Sequence, residues 1–72
     1  MSIYEEIKQQ FHSLADAAGL EIIEEYWDEY THDNGVFKLA SRKQAHAFCL
    51  LMPSGYEANI LGPTNSVDVE IV

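Results

Sequence analysis

Basic residues are scarce in this chain: four Lys and Arg stand against twelve Asp and Glu, a formal net charge of −8. Proteins that grip a phosphate backbone do so with a basic surface, so this balance opposes direct contact with nucleic acid. It disfavours an anionic membrane for the same reason. Cysteine is nearly absent. Cys49 is alone, which excludes an intramolecular disulfide, and no Cys or His pair sits at metal-ligand spacing. Long apolar runs are missing as well: the longest, Ala47 to Met52, falls far short of the roughly 20 residues that cross a bilayer. Glu5 and Glu6 lie where a secretory leader would carry bases, so a soluble protein of the cytoplasm is expected. No solenoid-length repeat, linker or low-complexity tract interrupts the chain.

A chain of 72 residues makes one small domain, which buries only about 60% of the surface its unfolded form exposes. With disulfides and metal excluded, stability must come from an efficient core or from self-association. The apolar share of 47% is that of a globular protein and argues against disorder.

What is present reads as six elements. Ser2 to Ala18 is an amphipathic helix, opened by a Ser2/Glu5 capping box and by acids in its first turn. Ile3, Ile7, Phe11, Leu14 and Ala18 fall on one stripe, and Gly19 supplies a left-handed residue to close it. Leu20 to Tyr30 fits either a strand or a helical stripe. Asp33-Asn34-Gly35 decides for a strand, because Asn-Gly tolerates the positive φ angles of a type I′ hairpin turn. A two-residue Asn34-Gly35 loop would pair Asp33 with Val36, His32 with Phe37 and Tyr30 with Leu39, with a bulge near Asp28 and Glu29.

Val36 to Ala40 is the return strand. Ser41 to Met52 follows as a second helix: Ser41 and Gln44 form a capping box, and Pro53 ends the segment. Its continuous apolar run would also suit a buried strand. As a helix it places Ala45, Phe48, Cys49 and Met52 on one arc, widened by Ala47 and Leu51, with Arg42, Lys43 and His46 opposite. Tyr56 to Leu61 and Val67 to Val72 alternate like half-buried strands, the latter with Val67, Val69 and Ile71 inward. The expected fold is α+β, a two-layer sandwich in the order α-β-β-α-β-β. Its mostly antiparallel sheet is covered on one face by both helices, the second serving as a right-handed crossover.

Several groupings invite a chemical reading, and each has a plainer one. His46 and Cys49 lie three apart, but Cys49 falls on the apolar arc, where a thiol stays neutral. Glu29, His32 and Asp33 are too few donors for a cation loop and read as a polar turn. Gly62 to Ser66 lacks the lysine and the following helix of a phosphate loop. His12 faces outward and carries no signal. No cofactor, metal or catalytic centre is expected.

The concentrated feature is acidic. Glu21, Glu24, Glu25, Asp28, Glu29 and Asp33 fall within thirteen residues free of Lys and Arg, interleaved with Tyr26, Trp27 and Tyr30. These nine residues are the candidate partner-binding set, and strand alternation requires Tyr26 and Trp27 to divide between core and partner. Three of the four bases (Lys38, Arg42 and Lys43) are expected around the second helix, which polarises the molecule. The expected function is a small, acidic, non-enzymatic module that docks on a basic protein surface. In its sharper form it mimics nucleic-acid charge and inhibits a nucleic-acid-binding protein, as phage anti-defence proteins do. The competing expectations are a solvated acidic face that protects an edge, and a structural or regulatory homodimer that buries the exposed sheet face.

Overall fold

Local chemistry sets the first helix, α1 (Ile3–Ala17), with Glu5 and Glu6 in its first turn. In the computed structural model, which describes residues 3–28, 30 and 33–72, the helix buries Ile7, Phe11 and Ala15. Leu14 is half-buried beside them. Ala18, expected on the same stripe, is exposed because the helix ends before it. Gly19 takes φ 74°, and the chain closes with Gly19 N–H to Asp16 O at 3.1 Å and Leu20 N–H to Ala15 O at 2.8 Å. These two bonds are the paired closure of a Schellman motif. The capping box at Ser2 lies outside the described residues.

Strands β1 (Ile22–Trp27) and β2 (Asn34–Leu39) form an antiparallel pair. Helix α2 (Arg42–Leu50) follows, then β3 (Tyr56–Ile60) and β4 (Ser66–Ile71). At the start of α2, Ser41 is extended and its Oγ accepts from Gln44 N–H at 3.1 Å. The Gln44 side chain does not turn back to complete the box. Its Oε1 accepts instead from the Glu21 N–H at 2.9 Å, tying the second helix to the entry of the first strand. The helix stops at Leu50, short of the expected Met52.

The sheet order is β1-β2-β4-β3, with every neighbouring pair antiparallel. The last strand is thus inserted between β2 and β3, which run parallel to one another and are joined over α2. Both helices lie on one face, and the order α-β-β-α-β-β is that of the α+β sandwich expected. The core between the layers is Ile7, Phe11 and Ala15 from α1, Ala45 and Phe48 from α2, and Trp27, Phe37, Leu39, Val67 and Val69 from the sheet. Phe11 is its hub, with ring centroids 5.1 to 6.5 Å from those of Trp27, Phe37, Phe48 and Tyr56.

The hairpin departs from expectation. Asn34 and Gly35 are not its turn but the first residues of β2, and residues 28–33 make the connection. Val36 pairs with Tyr26 rather than Asp33, and Leu39 with Ile22 rather than Tyr30. Phe37 pairs with Glu25, and His32, its expected partner, lies outside the described residues. The physical reason is space. A Cβ on Gly35 would stand 2.3 Å from Cε3 of Trp27 and 2.5 Å from Tyr26 O, so glycine is required where the indole crosses the neighbouring strand. Glycine serves close approach as well as positive φ, and the two uses look alike in a sequence. The β1 bulge falls between Ile22 and Glu24, not at Asp28 and Glu29, and Ile71 at the sheet margin is 41% exposed rather than inward.

Candidate binding face

One face of the sheet is left uncovered by the helices. Alternation decides what stands on it: Phe37, Leu39, Val67 and Val69 point into the core, so their neighbours point out. Cross-strand register then arranges the outward residues in rows. Tyr26, Val36, Asp68 and Asn59 form one row. Glu24, Lys38 and Ser66 form a second, and Asn34, Glu70 and Glu57 a third. Among the described residues, four carboxylates therefore share this face with a single base, Lys38.

None of these four acids has an ion-pair or hydrogen-bond partner among the described residues. Glu57 and Glu70 are directly opposed across β3 and β4, an arrangement of like charges that costs stability. Tyr26 rises from the same face, 59% exposed. Beside it a shallow depression of about 150 Å³ is lined by Glu24, Glu25, Tyr26, Val36, Lys38 and Ser66. At the end of the sheet a larger open depression, about 380 Å³, is lined by Asp28, Asp33, Asn34, Glu70 and Ile71. Asp28 is oriented there by the turn, its Oδ1 accepting from Tyr30 N–H at 2.8 Å.

The acidic stretch foreseen in the sequence is thus divided. Glu24 and Tyr26 stand on the open face, and Asp28 and Asp33 at its end. Tyr30 is 93% exposed in the connection, and Glu21 is exposed ahead of β1. Glu29 lies outside the described residues. Two candidates belong to the other side. Trp27 is in the core, 2% exposed, so its side chain is no contact residue. Glu25 points beneath α1, where Lys8 Nζ lies 2.9 Å from its Oε1 and His12 Nε2–H donates to its Oε2. His12, expected to be idle on the surface, thus helps Lys8 fasten the first helix to the edge strand.

Three acids of the open face, Glu57, Asp68 and Glu70, were outside the candidate set. Their outward alternation was legible, but the placement of β4 beside β2 was not, and only that placement joins them to Glu24 and Tyr26. Two of the three bases expected around the second helix, Arg42 and Lys43, lie on α2, and the third does not. Lys38 stands on the open face, while Arg42 Nη1 donates to Gly62 O at 2.8 Å and Thr64 O at 3.1 Å, holding the β3–β4 loop.

The remaining groups are plainer. Cys49 is half-buried, and burial pushes its thiol pKa up. His46 is exposed on the far side of α2. Among the described residues no group of three or more His, Cys, Asp or Glu could hold a metal ion, and no helix is long and apolar enough to cross a membrane. Comparison with protein-family models, with curated proteins and with solved structures returns no match for this chain. What the open face offers chemically is an array of carboxylates around a phenol, suited to cationic side chains.

Proposed function

We propose that this protein is a small, non-enzymatic binding module whose open sheet face docks on a cationic surface of another protein, in the cytoplasm. The observation that carries the reading is the opposed pair Glu57 and Glu70, with Asp68 and Glu24 on the same face and no ion-pair partner for any of them among the described residues. Solubility alone would be served by acids anywhere on the surface. Facing acids across a strand pair instead cost on the order of 0.2–1 kcal/mol, a cost that a cation from outside reverses. Tyr26 supplies the aromatic contact that commonly holds such an interface once charge has steered it.

The sharper form is mimicry of nucleic-acid charge. Alternate residues along a strand lie about 6.5 Å apart and neighbouring strands about 4.8 Å, the same order as charge spacing along a nucleic-acid strand. A basic cleft that binds nucleic acid is the surface this face fits, and inhibition by occupancy is the expected consequence.

The test is capture of partners from a cell lysate by the tagged protein. Glu57→Lys with Glu70→Lys keeps the like-charge opposition but reverses its sign. Glu6→Lys with Asp16→Lys makes the same change in net charge on exposed positions of α1. The first pair should abolish capture and the second should keep most of it, with duplex DNA or RNA competing for the captured protein. Equal loss with both pairs would reduce the effect to net charge and end the proposal.

A further inference from the structure

We infer that the outer edge of β3 pairs with the same edge of a second copy of this chain, joining two sheets into one. In an antiparallel pair, residues alternate between those whose N–H and C=O point to the neighbour and those whose groups point away. Val72 N–H to Gly55 O at 2.9 Å and Leu61 N–H to Ser66 O at 3.0 Å fix the parity at both ends of β3. Glu57 and Asn59 therefore turn their backbone toward β4, and Tyr56, Ala58 and Ile60 turn theirs outward. The Tyr56 N–H is bonded to Pro53 O at 3.2 Å. By the same parity the N–H groups of Ala58 and Ile60 point away from β4, toward the open edge.

The two edges of the sheet are not equivalent. On β1 the bulge between Ile22 and Glu24 breaks the period of the outward groups, and Glu25 is drawn under α1 by Lys8 and His12. Bulges and inward-pointing charges are the devices by which sheets close an edge. Within Tyr56–Ile60 there is no bulge, proline or lysine. Its edge is regular.

Only one two-fold register overlaps the whole of β3: Ala58 opposite Ala58, with Tyr56 opposite Ile60. It links the Ala58 N–H and C=O reciprocally and gives each Ile60 N–H the other copy's Tyr56 C=O. Both of these outward donors are used, and the Tyr56 N–H keeps its bond to Pro53. The same register sets Glu57 against Asn59 of the second copy, an amide facing a carboxylate. Slipping it so that Ala58 meets Tyr56 would set Glu57 against Glu57. Cross-strand partners share a face, so all four helices would lie on one side and both acidic faces on the other. Five residues of strand bury less than a permanent interface does, so the dimer is transient and needs high concentration.

This pairing does not rest on the proposed function, and salt separates the two. Each copy carries a net charge of −8, so screening should tighten the dimer, whereas it should weaken capture of a cationic partner. The test is sedimentation velocity from micromolar to millimolar protein at low and high salt. Wild type should move from monomer toward dimer as concentration rises, more so at high salt. Asn59→Glu places two new like-charge pairs across the junction and Asn59→Lys two opposite-charge pairs. Each should change the association constant by about twofold to thirtyfold, weaker for Glu and tighter for Lys. Asn59 is exposed, and circular dichroism checks that both variants fold. A wild type that stays monomeric throughout, or two variants that associate equally, would overturn the pairing.

Discussion

Replacing Gly35 with alanine should be among the most damaging single-methyl changes available to this protein. The added Cβ would stand 2.3 Å from Cε3 of Trp27, 2.5 Å from Tyr26 O and 3.0 Å from Cδ2 of Trp27. None of these atoms is the loose end of a flexible side chain. The indole is wedged against Phe11 and Phe37, with centroids 6.5 and 6.4 Å away, and the carbonyl belongs to the adjoining strand. Something in the core must move, and overpacking of this kind costs about 1–3 kcal/mol. A domain of this size has roughly 4–11 kcal/mol in total, and each kcal/mol lowers Tm by about 4–8 °C. Urea and thermal unfolding followed by far-ultraviolet circular dichroism would measure the loss. A second substitution isolates its cause: in a Trp27→Leu background the ring contact is gone, so Gly35→Ala should cost less, the contact with Tyr26 O keeping it above zero. A cost under ~0.5 kcal/mol, or the same cost in both backgrounds, would refute the claim that the glycine exists for the tryptophan.

Other consequences can be checked singly. Phe11→Ala and Phe48→Ala should each lose about 3–5 kcal/mol, Phe11 at least as much because its ring meets four others, as read by denaturant midpoints. Glu25→Gln removes the negative charge that faces Lys8 and His12. With both partners about 40% exposed, the loss should be about 1 kcal/mol or less and shrink with added salt. Cys49 should react slowly with a thiol reagent in the native protein and faster after unfolding, since burial raises its pKa and only the thiolate attacks. A raised pKa favours the protonated form in the folded state. That stability is complete below the thiol's ordinary pKa, near 9.0, and is lost as pH rises through the folded value. Cys49→Ser should remove this alkaline slope.

Much of the fold is readable because it is written locally. Ser41 with Gln44, Gly19 after the first helix and the alternation around Val67 each act within a few residues, and each marks its element. Register is written elsewhere. The insertion of β4 between β2 and β3 depends on pairing distant segments, for which no short signal exists. Asn34-Gly35 misleads for a related reason: the dipeptide suits a tight turn, but the indole that claims the glycine lies on another strand. The acidic stretch was legible as composition and not as a surface. Strand geometry sends Glu25 and Trp27 under the helix layer while Glu24 and Tyr26 face out, and joins the latter to acids encoded near the other end of the chain.

The two-sidedness of the sheet also bears on how this chain could be varied. Along β2 and β4, alternate positions answer to different constraints: Phe37, Val67 and Val69 are fixed by packing, while Val36, Lys38, Asp68 and Glu70 border solvent. A library that randomises the outward positions together with Glu24, Tyr26, Glu57 and Asn59 would explore new surfaces on an unchanged interior, provided strand-compatible side chains are kept at the central positions. The chain is short, carries a single cysteine and spaces its variable codons through four strands. Selection from such a library would treat the open face as a programmable recognition plate, with Gly35 and Trp27 as the pair that must never be shuffled.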